Sequence, residues 1–430
     1  MVAGLTSERV RPFSGWRVLA ALWLLMILNE ALPLITLTNL APYITEEFAL
    51  PRSQVGLIFA FYSLALGLSG PFCAYFIARI GVRWTLVIGN IVLLCAALAI
   101  TTLQTGSALL LPILVLLIGI SAAFGSAIPG QTAVTRWFVR HRSWAIAIFL
   151  AGGTVGGLIS PHIIRLVVEA EGAGWRAGWM VVAAAAAVAI FVAIFLVIDD
   201  PEKVGQTPDG GREADASPDI AAAPWESEWT LRTAFCNPAM WAVLIAGFGF
   251  IVIYHTFNSH GALHIRDLGF SQSMVATCFS VAIAAGFSGQ MLAGWVGQKI
   301  SPRLIWAIAL IAEAAGIVLF SWATSAATLL LAVALIGGGG ATSMVSMITT
   351  IGNWFGRIIY PAIYGTVNAI LSIAGALAPI LAGTWFDVAG SYRMVFYAFA
   401  IICLIGALVI FRVSRPEPPS KRKTIGEGQE

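Results

Sequence analysis

The sequence predicts an all-α integral membrane protein of twelve transmembrane helices in two six-helix halves, and three observations carry that reading. Of 430 residues, 59% are hydrophobic and only 10% charged, with a mean hydropathy of +0.89, whereas soluble domains are about a quarter charged. Apolar runs recur along the whole chain, each near the roughly 20 residues that a helix needs to cross the hydrocarbon core. The cations are crowded between alternate runs.

Charged or Gly/Pro-rich breaks mark off the runs at 15–44, 55–80, 84–102, 108–138, 144–168, 175–198, 240–263, 274–300, 304–323, 327–355, 362–386 and 394–411. With the N-terminus in the cytoplasm, nineteen of the 24 Lys and Arg lie inside, and only Arg52, Arg165, Arg176, Arg266 and Arg393 lie outside. This is the cation bias of cytoplasmic loops, so both termini are expected in the cytoplasm. The opening MVAGLTSERVRPFSGWR is too polar for a cleaved signal, and the first run is expected to stay as an anchor. The basic tail SKRKT, 420–424, either enforces this topology or contacts anionic lipid.

A stretch rich in Pro, Gly, Ala and acids, 199–230, divides six runs from six and reads as a cytoplasmic linker. It sets the expected organisation: an N-terminal half over 1–198, a C-terminal half over 231–413 and a tail over 414–430. The halves echo one another. ARIGVR (78–83) lines up with QKISPR (298–303) at an offset of 220, and Trp137-Phe138 with Trp354-Phe355 at 217. Duplicated halves of this kind pack around a central site.

With those features the chain resembles the major facilitator superfamily of secondary transporters over nearly its whole length. Gly81 with Arg79 and Arg83 is similar to that family's cytoplasmic loop signature, although Ala78, and Gln298 in the second copy, stand where the signature has an acid. TRWFVRHRSWAIAIFLAGGTVGG, the GWR at 174–176, DPEKVGQTPDG, NWFGRIIYPAIYG and GTWFDVAGSYR resemble the bacterial monocarboxylate and oxalate/formate transporter-like group. That resemblance implies transport of small organic acids, with protons or by exchange, by rocking of the two halves. It also implies a cation in helix 8, and in some members another in helix 11. Neither MVATCFSVAIAAGFSGQMLAGW nor AIYGTVNAILSIAGALAPILAGTWF holds a Lys or Arg.

The polar residues inside the runs are therefore the candidates for function. Glu30 lies in the middle of LLMILNEALPL beside Asn29, and an ionised carboxylate at a helix centre costs roughly 2.5 to 3.5 kcal/mol. Two readings stand: a proton-coupling group, or group that recognises substrate, facing a wet cavity, and a protonated side chain hydrogen-bonded to a neighbouring helix. Asn29 is counted with the substrate-binding candidates. His255 and Asn258, three apart in helix 7, share a face beside Tyr254, and a histidine titrating near neutrality is the remaining partner for an anion. Asn368 and Ser372, four apart in helix 11, offer neutral hydrogen bonds. Tyr62 in helix 2 and Ser343 in helix 10 complete the substrate-binding set. His260, His264, Arg266 and Asp267 read as a solvated outer rim, and Glu313 in helix 9 as structural. Gly152, Gly153, Gly156, Gly157, Gly286 and Gly289 permit close helix contact, between moving or static helices alike.

The five cysteines show no metal-ligand or paired spacing, and no P-loop or nucleophile constellation is present. No enzyme, cofactor, metal or nucleic-acid partner is expected. The partners are a small-molecule substrate and the lipid bilayer, and the chain is expected to work as a monomer in the cell inner membrane by the family analogy. The expected function is proton-coupled transport of an organic acid. Proton-coupled efflux of amphipathic or cationic compounds, uptake of a neutral aromatic or vitamin-like nutrient, and a non-transporting sensor are the alternatives.

Overall fold

The computed structural model describes residues 12–48, 52–104, 110–168, 170, 174–210 and 228–419. Among these the chain is helical almost throughout and contains no strand. Helix α1 runs from Gly15–Leu25 through a π-helical turn, Met26–Ala31, into Leu32–Glu47. Helix α4 has the same construction, Leu111–Ala122, Ala123–Ala127 and Ile128–Trp137. The others are α5 Arg142–Val168, α6 Gly174–Leu196, α7 Pro238–Asp267, α8 Gln272–Val296, α9 Pro302–Ser321, α10 Ala326–Phe355, α11 Tyr360–Ala389 and α12 Arg393–Arg412.

Eleven runs among the described residues are long and apolar enough to cross a membrane. The twelfth span arises because Gly70–Thr101 is two helices. Gly81 interrupts it at φ +85° and ψ 173°, a conformation that glycine adopts without steric penalty. A Cβ there would also stand 3.0 Å from the Asp199 carboxylate. Arg52–Leu68 with residues 70–80 is therefore α2, and residues 82–101 are α3. Helix starts are marked by side-chain caps: Asn237 accepts from Ala239 N ahead of α7, and Ser325 and Thr328 form a capping box for α10, satisfying amides that the first turn leaves open.

One buried apolar cluster runs through both halves, and a second lies within the first half. In the first half, α6 lies on the α2–α3 segment, α4 on α2 and α3, and α5 on α1. In the second half, α9 and α8 flank α10, and α12 lies between α7 and α9. The halves meet along two seams, α5 with α8 and α2 with α11. The glycines divide accordingly. Gly152 and Gly156 admit Trp23, Met26 and Ala31 of α1, while Gly286 and Gly289 lie on the carbonyls of Gly337 and Gly338, so these glycines serve contacts within a half. Contacts between halves use other small residues: Gly70 meets Gly365, Gly67 meets Ser372, and Gly294 and Gly297 meet Ala147 and Ser143.

Both described ends of the chain lie at one end of the bundle. Phe13 packs on Trp137 and Phe138 at 5.8 and 5.6 Å, and Arg303 at the start of α9 bonds the Val413 carbonyl. The first part of the segment read as a plain linker is folded across this terminal end. Asp199 accepts from Arg83 N and Lys203 Nζ, both at 2.6 Å. Asp209 accepts from the amides of Val139, Arg140 and His141 at 2.9, 2.6 and 3.2 Å, and Gln206 bonds Ser14 N and the Pro12 carbonyl. Asp199 also stands beside Gly81, so an acid from a distant position adjoins the loop whose own acid is missing.

At the opposite end, Glu47 accepts from Trp175 Nε1 at 2.5 Å and from Arg176 at 3.1 and 2.7 Å, and Arg176 also donates to the Leu103 carbonyl at 2.6 Å. This ties the ends of α1 and α3 to the start of α6. The Arg176 guanidinium, with the Trp175 indole, holds the Glu47 carboxyl below its ordinary range. A carboxylate so depressed contributes stability above the ordinary Glu value of about 4.3 and loses it as pH falls through the folded value. The pair is one-third exposed, so its worth is at most about 1 kcal/mol. Glu47→Gln is expected to lower the thermal midpoint at neutral pH by about 1–2 °C. The gap to the native protein should close below about pH 4; a thermal scan across pH in which the gap widened in acid would contradict the assignment.

Candidate functional site

The two π-helical turns face each other in the first half, and between them stands the carboxylate of Glu30. Ser126 on the second turn donates to Glu30 Oε2 at 3.1 Å. Such turns are rare and recur at functional sites. The turn in α1 sends neighbouring side chains different ways. Asn29 goes into the bundle and is fully buried: its Nδ2 donates to Asn90 Oδ1 at 2.9 Å, and Asn90 in turn donates to the Gly125 carbonyl at 3.1 Å. Glu30, half-buried, turns toward the space between the halves, within electrostatic reach of Tyr62 of α2, Tyr254 of α7 and Tyr364 of α11. Tyr254 is 48% exposed at the middle of its helix and borders this space.

Helix α7 supplies the opposite wall. The His255 ring lies 5.5 Å from that of Tyr254 and rests against Gly375 of α11, where a Cβ would meet the imidazole at 2.8 Å. Four residues on, Pro379 has no N–H, which leaves the Gly375 carbonyl without its helical partner. Asn258 donates to the Tyr254 carbonyl at 2.8 Å and keeps an exposed side chain. Asn368 is half-buried on α11, and Ser372, on the same face, abuts Gly67 in the seam with α2.

Several sequence expectations need correction. Asn29 does not reach the open space, because it bonds across α3 instead. Ser343 is also buried: its hydroxyl donates to Glu313 Oε1 at 2.5 Å, so it serves the structural carboxylate of α9 and not a cavity wall. The histidines expected in a solvated rim are tied down. His260 Nε2 donates to the Pro379 carbonyl at 2.9 Å while Tyr392 donates to its Nδ1 at 3.3 Å, and His264 is buried with Nε2 donating to the Phe320 carbonyl at 3.1 Å. A carbonyl only accepts, which fixes each Nε2 as the protonated nitrogen.

Below Glu30, toward the terminal end, the space is closed by contacts that sequence reasoning did not assign. Arg142 of α5, almost fully buried, donates to Asn353 Oδ1 of α10 at 2.7 Å and to the Thr135 carbonyl at 3.2 Å. Tyr360 donates to Gln131 Oε1 of α4 at 3.2 Å and stacks on Tyr364. His141 Nδ1 bonds Gln298 Oε1 at 3.0 Å, and Ser143 bonds the Gly297 carbonyl at 3.2 Å. The signal was present: Arg142, Asn353 and Tyr360 fall inside TRWFVRHRSW and NWFGRIIYPAIYG, stretches that proved to meet across the halves. Among the described residues the polar contacts between the halves cluster at this end, and the space around Glu30 lies on their other side.

Comparisons with known proteins agree with this architecture. The model of the Major Facilitator Superfamily matches residues 22–312 and 261–430. The probable sulfoacetate transporter SauU of Cupriavidus necator is 25% identical over 391 residues, 86% of each chain. The fosmidomycin resistance protein of Escherichia coli is 26% identical over 176 residues, 40% of this chain and 42% of that one. Among solved structures, the human organic anion transporter MFSD10 superposes with a TM-score of 0.70 at 15% identity, covering 92% of this chain and 99% of that one. FucP in the outward conformation gives 0.72 at 14%, covering 93% and 100%. At such identities the likeness to solved structures concerns the fold.

Gly365 lies with its Cα against the Gly70 backbone, where a Cβ would stand 2.5 Å from the Gly70 carbonyl oxygen. Gly365→Leu is expected to force this seam apart, because overpacking a close contact costs about 1–3 kcal/mol. A Ser143→Cys reporter, buried in the other seam, should then react about ten-fold faster with maleimide, once the exposed Cys95 and Cys236 are replaced. An unchanged rate would show that the α2–α11 contact does not hold this end shut.

Proposed function

Because the chain belongs to the Major Facilitator Superfamily, we propose that it is a secondary transporter carrying a small organic acid across the cell inner membrane by alternating access, with Glu30 as its protonatable group. It is a multi-pass membrane protein and not an enzyme. The observation that carries the reading is the carboxylate of Glu30, held by one hydroxyl, at the base of a space that opens at one end and is sealed by cross-half contacts at the other. The cation bias assigns the sealed, terminal end to the cytoplasm, so the conformation is outward-open and both termini are cytoplasmic. Substrate would enter from outside and leave when the halves rock.

The coupling follows from electrostatics. Helices α8 and α11 contain no Lys or Arg, so an anion entering this space meets neutral donors, the tyrosines, His255, Asn258 and Asn368, together with Glu30. Two like charges about 6 Å apart at an effective dielectric near 20 repel by about 3 kcal/mol, on the order of a hundred-fold in affinity. Anion binding and protonation of Glu30 therefore favour each other reciprocally. A protonated Glu30 turns from a repelling group into a donor, and the acid and a proton cross together. The name of the Cupriavidus relative supports a small organic acid as the substrate.

Export of an amphipathic or cationic compound is the second reading. It is favoured by a carboxylate within electrostatic reach of three tyrosines, since aromatic faces and a carboxylate together suit a cation. The name of the Escherichia coli relative, a resistance protein, supports the export half of this reading. Thermal stability against carboxylates, neutral aromatics and lipophilic cations separates the classes, since a ligand at about 100 times its Kd stabilises by roughly 2.7 kcal/mol.

The decisive experiment is transport in proteoliposomes of the stabilising acid. Native protein should accumulate it under an inward proton gradient. Glu30→Gln should keep counterflow exchange within about three-fold yet lose gradient-driven accumulation, because a fixed neutral side chain neither repels the anion nor carries the proton. Undiminished accumulation by the variant would sink the coupling role of Glu30.

A further inference from the structure

A second charged cavity lies at the sealed end, outside the space around Glu30. It has a volume of about 250 Å³ and is lined by Arg136, Asp200, Glu202, Arg357 and Ile358. Its two arginines come from different halves. Arg136 belongs to the last turn of α4, and Arg357 follows Gly356, whose φ of +80° turns the chain between α10 and α11. Each guanidinium is met by a carboxylate of the folded segment 199–210: Arg136 by Asp200 at 3.1 Å and Arg357 by Glu202 at 2.9 Å.

Those carboxylates belong to a segment pinned to the first half through Asp199 and Asp209. The Glu202–Arg357 pair is therefore a contact between halves. The two partners differ in setting: the Arg357 side chain is 10% exposed and that of Glu202 is 50% exposed. A guanidinium so enclosed is fixed in place, while its carboxylate stands half in water, where an ion pair is worth little. An external anion competes with such a partner on nearly equal terms. To replace both strap carboxylates it must bring two anionic groups, one for each arginine, and a guanidinium prefers an oxyanion that it can grip with two N–H groups.

We propose that this cavity is a binding site for a small dianion, such as a short dicarboxylate, on the terminal face. Asp200 and Glu202 are its intramolecular occupants while that end is closed. A dianion that displaces Glu202 binds in the cavity and at the same time unfastens the strap from the second half, which favours opening of that end. The site needs no particular transported solute, and its test is separate from that of the transport reading.

The test is isothermal titration of malonate into the purified full-length protein at low ionic strength. Glu202→Gln removes the competitor and its repulsion, and is expected to bind malonate about ten-fold more tightly than the native protein. Combining it with Arg357→Gln should abolish that gain. Combining it with Arg357→Lys, which keeps the charge should the Gln variant fail to fold, should weaken binding several-fold, because an ammonium lacks the paired N–H fork. Asp200→Asn serves as a second way of removing a competitor, with the same sign. Equal affinity in native protein and Glu202→Gln, absence of binding to Glu202→Gln at millimolar malonate, or a gain that survives Arg357→Gln would each overturn the proposal.

Discussion

Hydrocarbon offers nothing to an unpaired backbone carbonyl, and the arrangement of this protein follows from where it permits departures from regular helix. A spanning helix satisfies its own backbone, so irregular stretches survive only where they are buried in protein or border a wet space. The departures among the described residues obey that constraint. The π turns of α1 and α4 adjoin each other, with Asn90 donating to the Gly125 carbonyl. Pro379 interrupts α11 where His260 of α7 donates to its carbonyl. Side chains of other helices reach two of these stretches, Asn90 at the α4 turn and His260 at Pro379, and the helices concerned border the space that holds Glu30, Tyr254 and His255.

Much of the architecture was legible because the bilayer demands it in composition. Twelve runs of suitable length and a strong cation bias are one-dimensional signals. The break between α2 and α3 was marked by Arg79 and Arg83, although its cause, the positive φ of Gly81, is a backbone property that letters only suggest. The site was legible in part. Glu30 and His255 stood out because polar groups in apolar runs are costly and few. Asn29, Tyr62 and Ser343 stood out for the same reason and are buried, since spacing tells which residues share a face but not which face meets water. A one-residue difference separates Asn29 from Glu30, and the π turn that directs them apart has no clear mark in the sequence.

What escaped sequence reasoning was pairing between distant segments. Asp199 lies beside Gly81, Asp209 caps three amides of the loop before α5, and Arg142 reaches Asn353. The stretch DPEKVGQTPDG reads in isolation as a flexible acidic tether. Its acids are spent on cations and amides that come together only once both halves have folded, Arg136 and the 139–141 amides in the first and Arg357 in the second, so the ordered part of the connection is a consequence of tertiary structure.

The distribution of contacts also explains how such a molecule can move. Within each half, helices interlock through buried apolar side chains and glycine-to-backbone approaches, as Gly152 does on Trp23 and Gly289 on Gly338, and separating them would expose a core. Between halves, the closed end is joined by hydrogen bonds and ion pairs, each worth only about 0.5–1.5 kcal/mol net, beside apolar side chains of the cluster that both halves share. The Gly70–Gly365 approach adds close contact without interlocking side chains, so the surfaces separate without steric obstruction. Two states of such a seam differ by a few kcal/mol, within reach of a ligand that binds one better than the other. Polar groups that water can serve thus make parting of the closed end less costly than opening a half, and on the proposed reading the carboxylate of Glu30 is the group whose charge a bound solute would oppose or accept.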